Sequence, residues 1–404
     1  MGILRPARQP VRLPWPLSMT LDPIALAVPF FFLLIGLELL VARARRQRVY
    51  RFTDSFADLG CGVAQRVVLL LFEASLLAVY ALLYEHGRLV TFAPGSPWPW
   101  VIAIVGVDLG YYWWHRLSHE VNFLWAVHAV HHQSEDYNLA VALRQAVLSP
   151  ITVLPFYLPL AVLGVPVLVY FIVVALSTLY QFWIHTELVG RMGVLEHLVN
   201  TPSLHRVHHG VNPEYLDKNY AATFICWDQL FGTLRREEAP VVFGVSHPLR
   251  SFDPVWAQVQ PFWALWQSMR RAPSASEAIR FFFASPAWHP DWLGPVEPRR
   301  GVDPEALPKF DVRPGRRRVG YVFAQLTLIV VVAFALLTWH NALSAAAVAT
   351  AVAWVLVSLV AGAALLEGRR WAVGLEMARI GVLAGAVAIV LLVPSLGPVL
   401  LASR

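Results

Sequence analysis

Charge is scarce in this chain. Of its 404 residues only 14% are Asp, Glu, Lys or Arg, while 57% are hydrophobic. A soluble protein usually carries about 25% charged residues, so much of the surface is expected to face something other than water. Cysteine is scarcer still. Cys61 and Cys226 stand in unrelated contexts, which excludes a thiolate metal site and a disulfide framework. Cys61 reads as a packing residue at the mouth of an apolar run. No haem-attachment motif, Cys-rich cluster or G-x-G-x-x-G fingerprint is present. Electrons for any redox chemistry are therefore expected from a separate donor. No cleavable signal peptide is evident, and the first apolar run is long enough to remain as an anchor.

What the chain does have is long uncharged runs. A helix needs about 20 mostly apolar residues to cross a bilayer. Candidate spans are 23–42, 63–84, 98–114, 319–338, 344–366 and 372–395. The stretch 147–185 is also apolar, but Pro150, Pro155, Pro159, Gly164 and Pro166 interrupt it. It reads as two helices, 147–163 and 166–185, giving six to eight in all. The expected fold is all-α, a polytopic membrane helical bundle.

The net charge is +6, and it comes from arginines beside apolar runs rather than from a nucleic-acid-binding patch. Arg43, Arg45, Arg46, Arg48 and Arg51 follow the first run; Arg313, Arg316, Arg317 and Arg318 precede the 319–338 run; Arg369 and Arg370 follow the 344–366 run. All three clusters can be cytoplasmic at once if the N-terminus is outside, although Arg5, Arg8 and Arg12 would then also lie outside. The stretch 236–318 mixes Phe262, Trp263, Trp266 and Phe281 to Phe283 with Arg270, Arg271 and Arg280. Such a mix suits amphipathic helices on a membrane surface or packed on a cytoplasmic domain.

Nine of the 14 histidines fall into groups: His115 and His119; His128, His131 and His132; His185 alone; and His205, His208 and His209. At this histidine content, H-x-x-H-H arises by chance about 0.02 times in the whole chain, and it occurs twice. Residues three and four apart share a helix face, so each group is expected to aim its imidazoles at one spot, where the membrane helices meet the cytoplasm. All-imidazole ligation suits Fe, Zn, Cu or Ni. Nine histidines overfill one structural zinc; two metal ions with four or five each, and room for oxygen, fit better. His86, His197, His247, His289 and His340 lack ligand spacing or lie away from the cluster.

Carboxylates could orient the rings through their N–H groups. Asp108 is the leading candidate, an ionisable residue inside an apolar run, two helical turns before His115. Glu120, Glu135, Asp136, Glu187, Glu196 and Asp217 are weaker. The segment from Glu135 and Asp136 to Asn138, with Arg144 and Gln145, could form a polar wall for a reductant or a lipid headgroup. It could equally cap the histidine-bearing helix.

The three motifs His115-Arg-Leu-Ser-His119, His128-Ala-Val-His131-His132 and His205-Arg-Val-His208-His209 resemble those of the fatty acid hydroxylase/sterol desaturase superfamily, over roughly residues 95–235. The stretches around them, including Leu216-Asp-Lys-Asn219-Tyr220 and Pro286-Ala-Trp-His-Pro290, are similar to the alkylglycerol monooxygenase branch. The resemblance implies that the nine grouped histidines hold two irons and that Asn219 joins the site. It also implies oxygen-dependent hydroxylation of a membrane lipid, in that branch cleavage of ether lipids with tetrahydrobiopterin as reductant. The expected organisation is N-terminal membrane helices (1–94), a fatty acid hydroxylase-like catalytic core (95–235), a cytoplasmic amphipathic region (236–318) and C-terminal membrane helices (319–404). The competing readings are a hydroxylase or desaturase of a sterol, fatty acyl or carotenoid lipid, and a non-enzymatic metal-binding membrane protein. No nucleic-acid partner is expected.

Overall fold

A computed structural model describes residues 23–295 and 309–392. Arg5, Arg8, Arg12 and the end of the 372–395 run lie outside the described residues. The regular structure is helical: α1 (Pro23–Ala44), α2 (Phe52–Leu69), α3 (Glu73–Gly87), α4 (Trp98–Glu120), α5 (Asn122–His132), α6 (Ser149–Val162), α7 (Val167–Trp183), α8 (Pro202–His208), α9 (Cys226–Leu230), α10 (Pro254–Met269), α11 (Ala275–Phe283), α12 (Arg316–Trp339), α13 (Ala345–Leu366) and α14 (Ala372–Leu392). Among the described residues, β-structure is limited to two isolated bridges, Val199 with Phe224 and Gly210 with Phe243.

The protein is a multi-pass membrane protein. Ala25–Ala44, Arg316–Ala342 and Ala345–Leu366 are long and apolar enough to cross a bilayer, and α2 with α3 would make a fourth span. Among the described residues that is at most four, against the six to eight expected for the whole chain. α4 is long but carries Asp108 and the first histidine pair, and α6 and α7 are short.

The expected 63–84 helix is two helices. α2 begins at Phe52, and a 60° bend separates it from α3. Neither proline nor glycine marks the break at 70–72. Packing accounts for it. α2 joins a core with α12 and α13, built on Phe56, Val67, Val322, Ile329, Val355 and Leu359. α3 instead joins α4, α6 and α7 around Tyr80, Val107, Leu160 and Val165. One continuous helix could not serve both. The break expected within 147–185 is present, between α6 and α7. Gly164 sits there at φ +88, where a Cβ would come 2.2 Å from the Val90 carbonyl oxygen, so only glycine fits.

The helices of the 236–318 stretch each have a packed face and an exposed one. In α10, Ala257 and Leu265 are buried, while Trp256, Trp263 and Trp266 are exposed. Asp253 caps that helix by accepting from the Val255 and Trp256 N–H groups. Phe281 of α11 packs inward beside Ala126 of α5, so these helices brace the second histidine motif.

Candidate metal centre

The histidines meet between α4, α5, α7 and α8. All nine come together, and they sort into two groups. His115, His119, His128, His132 and His208 form one; His131, His185, His205 and His209 form the other. Within each group the potential ligand atoms lie within 4.8 Å of one another. All but the half-buried His119 are buried.

The two H-x-x-H-H triplets do not each aim at one spot, contrary to expectation. His131 parts from His128 and His132, and His208 parts from His205 and His209. The reason is helical rotation. Positions i+3 and i+4 are about 100° apart around the axis, so neighbouring histidines address two adjacent centres. Each triplet bridges the groups instead of filling one.

The ring nitrogens show what the groups can hold. Four Nδ1 atoms contact backbone carbonyls: His115 to Tyr220 at 2.8 Å, His208 to Lys218 at 3.0 Å, His131 to Arg144 at 2.9 Å and His185 to Gln181 at 2.7 Å. A carbonyl only accepts, so each Nδ1 carries the proton and each Nε2 presents a lone pair. These lone pairs converge. Nε2–Nε2 separations are 2.9 Å for His115 and His128, 3.1 Å for His128 and His132, and 3.2 Å for His132 and His208. In the other group they are 3.3 Å for His131 and His185 and 3.0 Å for His185 and His205.

His131 and His185 thus point acceptor at acceptor, which a shared cation makes favourable. An ion about 2.1 Å from each nitrogen leaves adjacent ligands about 3.0 Å apart in an octahedron, close to the separations found. His119 Nε2 and His209 Nε2 are buried without a hydrogen-bond partner, as ligand atoms would be. Burial holds His131 at about 4 and His208 at about 3, so both are neutral at pH 7, the form that binds metal. The residues fit a two-ion, all-imidazole site.

No carboxylate joins either group among the described residues. Asp108 accepts from the Thr223 and Phe224 N–H groups and from Trp227 Nε1, so it anchors the loop after Tyr220. Asn219, in the left-handed region at φ 56, donates to the Leu204 and Arg235 carbonyls and accepts from the Arg235 N–H. It lies between the two carbonyls that hold His208 and His115. Glu135, Asp136 and Asn138 form a clasp. Asp136 pairs with Arg51 at 2.9 Å and Lys309 at 2.7 Å. Glu135 accepts from the Phe310 N–H, and Asn138 donates to the Val49 carbonyl. Burial raises Glu135 to about 6. Glu120 pairs with Arg116, and Glu196 with Arg236.

Two functional carboxylates escape a sequence reading. Asp228 is fully buried and accepts from the Tyr220 and Ala221 N–H groups and the Thr233 hydroxyl. It therefore fixes the carbonyl that holds His115. Asp58 pairs at 3.1 Å with Arg144, whose side chain also donates to the Val130 carbonyl and Gln133. The Arg144 carbonyl holds His131. The close approach of α2 to this turn needs Gly62, because a Cβ there would lie 2.3 Å from the Leu143 oxygen.

A cavity of about 390 Å³ opens from His128, His131 and His185 among the helices, reaching side chains of α1, α2, α3, α4, α6, α7 and α12. Its walls are mostly apolar, with Phe31, Leu143, Phe182 and Phe334 among them.

The fatty acid hydroxylase family matches residues 100–233, the span that carries all nine histidines. The chain is 37% identical to the alkylglycerol monooxygenase of Danio rerio over 357 residues, 87% of this chain and 79% of that one. It belongs to the alkylglycerol monooxygenase family. The Homo sapiens member is 42% identical over 285 residues and the Xenopus tropicalis member 40% over 289. These alignments cover 70% and 72% of this chain, and in each case 63% of the relative. The chain thus spans under two thirds of the length of those two family members. No solved structure matches it.

Proposed function

We propose that this protein is a membrane di-iron monooxygenase that hydroxylates an alkylglycerol ether lipid at the carbon next to the ether oxygen. The observation that carries the reading is the junction of two convergent imidazole groups with an apolar cavity inside a membrane protein. The names of the relatives supply the ether lipid.

The nine histidines hold the two ions: His115, His119, His128, His132 and His208 one, and His131, His185, His205 and His209 the other. Once bound, iron supplies the activation of O2 that an unreactive C–H bond requires. The protein's part is positioning and exclusion. Backbone carbonyls fix the ring tautomers, and the apolar cavity seats the alkyl chain and keeps water out. Asp108, Asn219, Glu135, Asp136 and Asn138 hold the loops that carry those carbonyls and the histidine helices. Hydroxylation consumes O2, two electrons and two protons and releases water. On a carbon bearing an ether oxygen the product is a hemiacetal, which separates into an aldehyde and glycerol. Tetrahydrobiopterin or another external reductant supplies the electrons. A cytoplasmic position for the site is supported by the clasp of Arg51 and Lys309 on the loop after His132, beside the basic flanks of α1 and α12.

The test is anaerobic purification of the full chain with iron, then exposure to O2 and tetrahydrobiopterin with a 1-O-alkylglycerol. Two irons per chain and oxygen-dependent release of the fatty aldehyde are expected. Turnover of a sterol or acyl lipid with none of the ether would overturn the substrate, and no oxygen consumption on any lipid would overturn the enzyme.

A further inference from the structure

Polar residues line the cavity among its apolar ones, Gln65, Arg66, Glu73 and Ser149 included, and two more are tied to the site itself. Gln181 lines the cavity, and its own carbonyl holds the His185 ring at 2.7 Å. Gln145 lines it too, and the carbonyl of its neighbour Arg144 holds the His131 ring at 2.9 Å. The two glutamines thus stand beside the two histidines of one group that face the cavity, on different elements. Each amide is half-anchored. Gln145 Nε2 donates to the Ala142 carbonyl at 2.9 Å, and Gln181 Nε2 to the Ser177 carbonyl at 3.1 Å. This settles which end of each amide is nitrogen. Neither Oε1 receives a hydrogen bond from any described residue, and both side chains are only partly buried.

These two oxygens are accessible from a cavity with mostly apolar walls, and a lipid that fills it strips them of water unless it brings a donor. A hydrocarbon tail cannot. A hydroxyl can, and an alkylglycerol carries two hydroxyls a few bonds from the carbon next to its ether oxygen. With that carbon at the histidines, the tail runs into the apolar walls of α3, α7 and α12, and the hydroxyls remain at the histidine end.

We infer that Gln145 and Gln181 form the hydroxyl-recognition subsite of the cavity, selecting lipids with a free vicinal diol beside the oxidised carbon. The inference rests on the ether-lipid reading and specifies how that substrate is chosen. A site that accepts a substrate hydroxyl rejects the analogue lacking it, because the protein's polar group is then left unpaired. Each lost pair is worth about tenfold in affinity.

The test is equilibrium binding to the iron-loaded full chain in nanodiscs. The probes are a radiolabelled 1-O-hexadecylglycerol and the same ether with both hydroxyls methylated. The unmodified protein should prefer the diol by about 100-fold, about tenfold for each of the two pairs. In Gln145→Leu and Gln181→Leu that ratio should fall by about tenfold each, with two irons still bound. Monodeoxy ethers on the unmodified protein provide a reading that no variant's folding can affect, and each should lose about tenfold. Equal binding of diol and dimethyl ether by the unmodified protein, or an unchanged ratio in both iron-loaded variants, overturns the subsite. Failure of the ether-lipid reading is distinct: the unmodified protein would then bind the diol selectively yet release no aldehyde from it with O2 and reductant.

Discussion

The two histidine groups are built differently. In the five-histidine group, His115 and His208 are held by carbonyls of one loop, those of Tyr220 and Lys218. That loop has Asp217 and Asn219 in the left-handed region on either side of Lys218, and it is pinned by Asp228. In the four-histidine group, His131 and His185 are held by Arg144 and Gln181, of which Gln181 lines the cavity and Arg144 stands between the lining residues Leu143 and Gln145. Two of its four histidines line the cavity, against His128 alone from the other group. One centre is buttressed by the loop that carries Lys218 and Tyr220, the other by residues at and beside the cavity wall. Changes to the cavity should therefore reach the four-histidine centre first.

The largest expected effect is the removal of a bridging motif's odd member. His131→Ala should empty the four-histidine group, leave about one iron per chain and lower aldehyde release by at least about 100-fold. Metal analysis and turnover of the same preparation measure both. Two irons and full activity in His131→Ala would break the assignment of the groups.

Next comes Arg144→Met, which strands the Asp58 carboxylate in a fully buried pair. Removing one partner of such a pair costs about 3–5 kcal/mol. The His131 carbonyl partner also loses its anchor, so thermal unfolding should shift down and the four-histidine iron should leave first in a chelator titration. Replacing Asp58 by Asn in the same chain should recover part of the loss, because no charge is then left unpaired.

How much of this is visible in the sequence depends on what carries the signal. Side-chain identity and spacing are visible. The nine histidines stand out by spacing, and the α6–α7 break by Pro150 to Pro166 and Gly164. Tertiary packing is not. The α2–α3 bend has no proline or glycine, because it follows from α2 packing on α12 and α13 while α3 packs on α6 and α7. The split of each H-x-x-H-H motif is written in helical rotation but shows only when a second centre lies alongside. The ring-holding groups are backbone carbonyls of Arg144, Gln181, Lys218 and Tyr220, which no residue type announces. Asp228 could have been noticed as a carboxylate in the apolar segment Phe224 to Phe231, but its partners are backbone N–H groups, those of Tyr220 and Ala221, which no residue type announces.

A smaller effect should fall on the other group. Asp228→Asn places an amide NH2 against the Tyr220 or Ala221 N–H and loosens the His115 carbonyl. Loss of such a supporting contact typically weakens metal binding by about 10–100-fold. A chelator titration should then release one iron early, with the hydroxyl preference of cavity binding unchanged. If the preference collapses with the metal, the two centres are coupled more tightly than their separate supports imply.

The smallest effect tests whether the clasp belongs to either centre. Asp136 touches Arg51 and Lys309 but no histidine ring, and the Lys309 side chain is 50% exposed. The Asp136 carboxylate is buried, but Arg51 would still have Asp54 at 3.5 Å and Glu135 at 3.8 Å, so Asp136→Asn strands no charge and should cost about 1–2 kcal/mol, with both irons kept. The Asp136 backbone N–H donates to the Asp54 carboxylate at 3.0 Å, a bond that survives the substitution and holds the loop after His132 in place. Loss of iron from Asp136→Asn would mean that the charges of the clasp, and not that bond, set the position of α5. The clasp would then support the centres alongside the loop of Lys218 and Tyr220 and the cavity wall.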